Sequence, residues 1–250
     1  MNERRSPGHN GERTLVAEAK AHAAILGGFI GLLWVIQLVN TLVFQGALVG
    51  LGIQPRTLAG LWGILFAPFL HGGFAHLIAN TVPLAVLGWF VMLRRKRDLF
   101  LVSAITALVG GLGTWLIGPA LSIHVGASVL VFGYLGYLIC RGLFERRFWP
   151  IVGSLIVLFF FGGALHGVLP GAVGISWQMH LFGLLGGVLA ARLLGTPRVA
   201  VAAPRRAEPA RRRISISKAR VSEGPGVEVV DEDIEAELER ARAQMKARQL

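Results

Sequence analysis

Six long runs of apolar residues dominate the hydropathy pattern of this chain. Each is about 17 to 22 residues long, close to the roughly 20 residues that a helix needs to cross about 30 Å of hydrocarbon. We therefore predict membrane-spanning helices at 23–44, 73–93, 98–117, 125–141, 149–166 and 176–194. A further apolar stretch, 57–70, is too short to span and is interrupted by Pro68, which indicates an interfacial or re-entrant segment.

Composition agrees with a chain that lies in lipid. Hydrophobic residues make up 54% of the sequence and charged residues only 16%, and the only acids between Glu18 and Glu208 are Asp98 and Glu145. A soluble domain of that length would need more surface charge. Helices are the expected form, because lipid offers no water to an open sheet edge. The sequence thus predicts an all-α membrane protein with six transmembrane helices.

The basic residues predict an orientation. In a six-span arrangement, Arg56 alone among the 25 Lys and Arg residues falls on one side, and all the others fall on the opposite side. Since basic loops stay in the cytoplasm, both termini are expected there, in a multi-pass protein of the cell membrane. The expected organisation is a cytoplasmic tail at 1–20, a membrane domain at 21–195, and a second cytoplasmic tail at 196–250.

Four polar side chains on three of these spans share one depth. His76 and Asn80 lie about one and two turns inside span two, and Ser128 and His180 each lie about one turn inside spans four and six. At 1.5 Å per residue, all four fall within roughly 5–10 Å of the outer boundary. Polar groups are costly inside a membrane and commonly serve function there. Their shared depth predicts a functional site near the outer face.

The residue types in this layer favour acyl transfer. Ser128 is a candidate nucleophile and His180 a candidate base, because imidazole titrates near neutrality. Spans two, four and six contain no carboxylate, so a serine–histidine dyad is expected rather than a triad. Asn80, His76 and the Ser128 backbone N–H are candidate donors to an oxyanion. Phe132, one turn below Ser128, is expected to pack the imidazole in place.

Three motifs around these residues resemble the rhomboid family of intramembrane serine proteases, over about residues 60–194. Gly126-Ala127-Ser128 with Phe132, Gly133 and Gly136 is similar to the family's serine motif. His180 followed by Gly183 and Gly187 resembles its histidine helix, and His71 with His76 and Asn80 resembles its second-helix pattern. The resemblance implies a six-helix bundle with a water-filled cavity open to the outside. It implies Ser128 as nucleophile, His180 as base, Asn80 and His76 at the oxyanion, and Gly126, Phe132 and Gly183 as supporting residues.

That reading makes the protein an endopeptidase that cleaves single-span membrane proteins near the outer membrane face. One departure keeps an alternative open. Val129 stands where the family usually has glycine after the nucleophile. Its β-branched bulk could distort the backbone around Ser128, residues 126–129, which we call the serine turn. The alternative is a catalytically impaired rhomboid-like protein that binds membrane clients. A small transporter or channel is a third possibility, disfavoured by the scarcity of intramembrane carboxylates.

The remaining patterns suggest structural roles. The zinc motif HExxH is absent, so neither a metal nor another cofactor is expected, and nucleic-acid binding is a poor explanation for a membrane-anchored basic tail. The role of His71 stays open between a structural hydrogen bond and another function. The other expectations are interfacial positions for His124 and His166, close packing at the glycine pairs Gly27/Gly31 and Gly183/Gly187, disorder at 196–227, and a short helix at 230–248.

Overall fold

The computed structural model describes residues 8–171, 174–195 and 239, with side chains from residue 14 onward. The chain divides into two units, 1–199 and 200–250, and the second lies outside the described residues apart from Glu239. The expected disorder at 196–227 and the helix at 230–248 thus fall almost wholly outside the described residues. The described part of the first unit contains seven α-helices: α1 Gly8–Leu42, α2 Leu58–Phe66, α3 Phe74–Met92, α4 Lys96–Ile117, α5 Ser128–Glu145, α6 Phe148–Phe161 and α7 Trp177–Leu194. Short 3-10 helices lie at Ala47–Leu51, Ala67–Phe69 and Gly162–Val168.

In the described part of the chain, six segments are long and apolar enough to cross a membrane: α1, α3, α4, α5, α7, and α6 continued by the 3-10 helix Gly162–Val168, whereas α2 is too short. The structure therefore confirms the all-α fold with six spans, and 57–70 is too short to be a seventh. Two helix starts differ from the sequence prediction by three residues or more, and the other four by one or two. α1 begins at Gly8 rather than near residue 23, and α5 begins at Ser128 rather than 125. The second difference arises because Gly126 has a φ of +131°, which a helix cannot contain.

α5 is the central helix of the bundle. Most of its residues are buried, and it packs against α3, α4, α6 and α7. Small residues bring its backbone close to α7, since a Cβ at Gly183 would lie 2.6 Å from the Val129 carbonyl oxygen and one at Gly187 would collide with the Gly133 carbonyl. This is the close approach that small residues permit between membrane helices, and it confirms the prediction for the Gly183/Gly187 pair.

The same prediction is wrong for Gly27 and Gly31 on α1. A Cβ at either position would meet no atom within 4 Å in the described part of the chain. α1 packs mainly on α3, and the buried positions that make this contact include Leu26 and Leu33 on a different face. Spacing alone could not distinguish the two faces, because both carry small or apolar residues.

The acids of the membrane domain lie together at the end of the bundle where α3 ends and α4 begins. Asp98 and Glu145 are 1% and 6% exposed. Arg94 bridges them, with Nη1 3.1 Å from Asp98 Oδ2 and Nε 3.5 Å from Glu145 Oε1. Arg141 Nε lies 3.0 Å from Glu145 Oε1, and the Tyr137 hydroxyl donates to Asp98 Oδ2. This ionic cluster joins α3, α4 and α5 at the basic end of the bundle, and the polar layer lies at the other end.

Candidate active site

A cavity of about 670 Å³ opens at the end of the bundle opposite the ionic cluster. Five of the residues predicted from sequence line it: Ser128, His180, His76, Asn80 and Phe132. They come from α3, α5 and α7, so the structure brings residues from three separate spans to one cavity. Gly126 and Gly183 are not among the lining residues; Gly126 lies close to the His76 ring, and Gly183 lies close to the Val129 backbone.

Ser128 is the first residue of α5 and is 7% exposed. The N–H groups in the first turn of a helix have no acceptor within the helix, and the helix dipole places partial positive charge there. The backbone N–H groups of Ser128 and Val129 belong to this turn. The nucleophile candidate therefore lies beside N–H donors suited to a developing negative charge.

Two hydrogen bonds hold the residues just before Ser128. The Gly126 N–H donates to the Ala67 carbonyl at 2.8 Å, and the Ala127 N–H donates to His71 Nε2 at 3.2 Å. Gly126 is required twice over, since its φ is positive and a Cβ there would lie 2.7 Å from His76 Cε1. The segment around the 3-10 helix Ala67–Phe69 thus fixes the serine turn from behind.

His71 has the structural role that the sequence left open. It is 1% exposed, and burial, with the nearby His76 adding to it, lowers its pKa from 6.5 to about 4, although the Phe69 backbone partly opposes the shift. The imidazole is consequently neutral near pH 7. Its unprotonated Nε2 can then accept the Ala127 N–H, which a protonated ring could not do.

His180 is held in a defined tautomer. Its Nδ1 lies 3.0 Å from the Gly167 carbonyl oxygen, and because a carbonyl only accepts, Nδ1 carries the hydrogen. Nε2 is then the unprotonated nitrogen of the neutral ring. Phe132 stacks on the imidazole, with ring centroids 4.1 Å apart and planes inclined by 12°. A backbone carbonyl and an aromatic ring thus orient His180, where a triad would use a carboxylate.

No hydrogen bond joins Ser128 Oγ to His180 among the described residues. The two side chains nevertheless line the same cavity. Catalytic hydrogen bonds are often long without substrate and tighten when the substrate binds.

His76 and Asn80 occupy the α3 side of the cavity. A Cβ built on Gly126 would lie 2.8 Å from His76 Nε2 and 3.4 Å from Ser128 Oγ, so the imidazole and the serine flank the same backbone atom. The Asn80 amide donates one hydrogen to the His76 carbonyl at 2.8 Å. An amide nitrogen carries two hydrogens, so a second donor remains at Asn80.

Val129 points away from the cavity. It is 1% exposed, and its Cγ2 packs against Gly110 of α4, at a place where an added Cβ would collide with it. Gly183 of α7 approaches the Val129 backbone from the other direction. The bulk that the sequence analysis placed at the serine turn is therefore accommodated by two glycines on neighbouring helices.

Two features near the site have no counterpart in the sequence predictions. The Gly167 carbonyl has no side-chain signature that could have revealed it. His124 was expected to be interfacial, but it is 7% exposed and bonded to Ser122 and Ser176. His166 is exposed, and its Nδ1 lies 3.0 Å from the Gly163 carbonyl oxygen.

No group of three or more His, Cys, Asp or Glu side chains that could hold a metal occurs within the described residues.

Comparison with known proteins assigns the chain to a family. Residues 58–197, more than half of the chain, match the Rhomboid domain. An uncharacterized protein of Mycobacterium tuberculosis is 45% identical over 177 residues, which are 68% of this chain and 73% of the relative. An uncharacterized protein of Mycobacterium leprae is 44% identical over 177 residues, covering 68% of this chain and 70% of the relative. Rhomboid protease GluP of Bacillus subtilis is 32% identical over 156 residues, which are 60% of this chain and 30% of that longer protein. With its six spans and this domain match, the chain is an integral multi-pass membrane protein of the rhomboid family.

Proposed function

We propose that this protein is a serine endopeptidase that cleaves single-span membrane proteins with a dyad of Ser128 and His180. The observation that carries the proposal is the hydrogen bond from His180 Nδ1 to the Gly167 carbonyl, at 3.0 Å. It leaves Nε2 as the basic nitrogen of a residue that lines the same cavity as Ser128. A base in that tautomer can take the proton of the serine hydroxyl.

The reaction then runs through an acyl-enzyme. Ser128 Oγ attacks the carbonyl carbon of the scissile peptide while its proton passes to His180 Nε2. The resulting oxyanion accepts hydrogen bonds from the backbone N–H groups that begin α5 and from the side chains of Asn80 and His76. His180 returns the proton to the leaving amine as the C–N bond breaks. Water, activated by the same imidazole, hydrolyses the ester.

The surroundings of the dyad support this scheme. Phe132 and Gly167 restrain the imidazole, so that it need not be reoriented during the reaction. Phe132 covers one face of the His180 ring and so shields that face from water. The ring edge that carries Nε2 is left uncovered by this stack and is available to Ser128. Gly183 lets α7 approach α5 closely, which keeps the histidine helix beside the serine helix.

The distribution of basic residues supports an orientation with the cavity toward the outside and both termini in the cytoplasm. The ionic cluster and the basic residues 94–97 lie at one end of the bundle, and Arg56 lies near the other. Substrates would then be cut in the outer part of their transmembrane segments, where water reaches the cavity.

Labelling by a fluorophosphonate probe tests the dyad. Wild-type protein should be labelled, whereas Ser128→Ala and His180→Ala should lose labelling and keep the thermal stability of the fold. Removing one oxyanion donor costs about 2.7–4 kcal/mol, or 10²–10³ in rate, so Asn80→Ala should be slow rather than inactive. A folded wild-type protein that is never labelled would favour the alternative of a client-binding rhomboid-like protein.

A further inference from the structure

A chain of hydrogen bonds crosses the mouth of the cavity through His124. Its Nε2 lies 2.8 Å from Ser122 Oγ and its Nδ1 lies 2.6 Å from Ser176 Oγ. Ser122 belongs to the loop between α4 and α5, whereas Ser176 is the N-cap of α7 and lies 52 residues further along the chain than His124. The imidazole is therefore the side-chain link between the loop that leads to the serine and the helix that carries the candidate base.

The direction of each bond follows from its neighbours. The Ser122 hydroxyl donates its one hydrogen to the Pro119 carbonyl, at 2.7 Å, so Ser122 Oγ must accept from His124 Nε2–H. In the neutral ring Nδ1 is then unprotonated and accepts the Ser176 hydroxyl hydrogen. Burial lowers the pKa of His124 and so favours this neutral form. Ser176 Oγ in turn accepts the Met179 N–H at 3.4 Å.

His124 and Ser176 each lie close in sequence to one member of the dyad. His124 lies four residues before Ser128, and Ser176 lies four residues before His180. The His180 N–H donates to the Ser176 carbonyl, at 3.1 Å, so Ser176 sets the first turn of α7 directly. The His124 backbone is itself fixed by a pair of 2.9 Å hydrogen bonds with Ile53.

We propose that His124 is a positioning residue, which fixes the first turn of α7 against the serine turn and so sets where His180 meets Ser128. His124 acts through Ser176: its ring lines the cavity, but in the described part of the chain it forms no hydrogen bond to Ser128 or His180. This inference rests on the proposed protease function for its catalytic consequence, but the structural link is independent of that function. Small displacements of reacting groups are sufficient to matter, since about 1 Å can cost roughly 10² in rate.

The kinetic test compares His124→Ala with a variant that restores the link. His124→Ala should lower kcat by about 10- to 100-fold with KM little changed, because the base is displaced while the other residues that line the cavity stay in place. His124→Asn should recover most of the loss, since its Oδ1 can accept the Ser176 hydroxyl from nearly the position of Nδ1. Adding Ser176→Ala to His124→Ala should lower kcat no further than Ser176→Ala alone.

His22→Ala is the matched control. His22 is also a buried histidine, 6% exposed, but it packs edge-to-face on Trp89, with ring centroids 5.1 Å apart and far from the cavity. Its loss should reduce thermal stability and leave kcat unchanged. An equal fall of kcat in His22→Ala and His124→Ala, or a failure of His124→Asn to recover activity, would overturn the positioning role.

Hydrogen exchange separates this inference from the protease proposal. In His124→Ala the backbone amides of Met179 and His180 should exchange faster, while those of the second half of α7 keep their protection. Faster exchange in a protein that proves inactive would support the link and reject the protease. Unchanged exchange at this turn would reject the link, whatever the activity of the wild type.

Discussion

Replacing Val129 by glycine distinguishes two views of the residue that follows the nucleophile. If Val129 distorts the serine turn, glycine should raise kcat. The structure predicts the opposite, because the valine side chain packs on Gly110 of α4 and does not line the cavity. We expect Val129→Gly to leave kcat unchanged or slightly lower and to destabilise the bundle.

The size of the destabilisation follows from the burial of Val129. The residue is 1% exposed, so removing both of its γ-methyl groups leaves a void beside Gly110. Each buried methyl group costs about 0.5–1.5 kcal/mol, and the step from alanine to glycine within a helix adds about 0.5–1 kcal/mol. The total is about 1.5–4 kcal/mol. Val129→Ala should lose only the first part, about 1–3 kcal/mol.

Thermal unfolding in detergent and kcat on a model transmembrane substrate measure the two quantities separately. A paired variant sharpens the test. Gly110→Ala should destabilise by about 1–3 kcal/mol, since its new methyl group would collide with Val129 Cγ2, and Val129→Ala in that background should recover part of the loss. An increase in kcat for Val129→Gly, or strict additivity of the pair, would refute the view that Gly110 accommodates the valine.

Two further variants test the serine turn. Gly126→Ala should lose most activity, because a side chain at φ +131° is strained and its Cβ would lie 2.7 Å from the His76 ring. The loss is measured as kcat of the folded fraction. Near-wild-type turnover would contradict the proposed need for glycine at this position. For His71, whose pKa falls from 6.5 to about 4 on folding, stability should be full above pH 6.5 and decrease by about 3 kcal/mol as pH falls to 4, since only the unfolded chain binds the proton in that window. His71→Gln, which can accept the Ala127 N–H without titrating, should flatten this part of a pH–stability curve, and an unchanged slope would exclude His71 as its source.

The spans and the polar layer could be predicted from sequence for simple reasons. A membrane helix needs a long apolar run, so each span is visible as one. Ser128 and His180 are rare polar residues in such runs, and the depth of each follows from a constant rise per residue.

Other parts of the site could not be predicted in this way. The loop residues Val125 and Ala127 are as apolar as helical ones, so the hydropathy pattern predicts a start at 125, whereas α5 begins at Ser128. The Gly167 carbonyl belongs to a residue without a side chain, and the partner of His124 lies 52 residues away in sequence. Contacts of this kind depend on how helices pack, and a single sequence carries no pattern for them.

Gly27 and Gly31 illustrate the same limit in the opposite direction. Their spacing is typical of a close helix–helix contact, yet in the described part of the chain nothing approaches them. Spacing defines a helix face, but the tertiary arrangement decides whether that face has a neighbour.

Mapping the cleavage site in a single-span substrate tests the central proposal most directly. The substrate is incubated with wild-type protein or Ser128→Ala in membranes, and mass spectrometry identifies the ends of the products. The account predicts one cut in the outer part of the substrate helix, made by the wild type and absent with Ser128→Ala. Cuts in the cytoplasmic half, or the same products with Ser128→Ala, would contradict it.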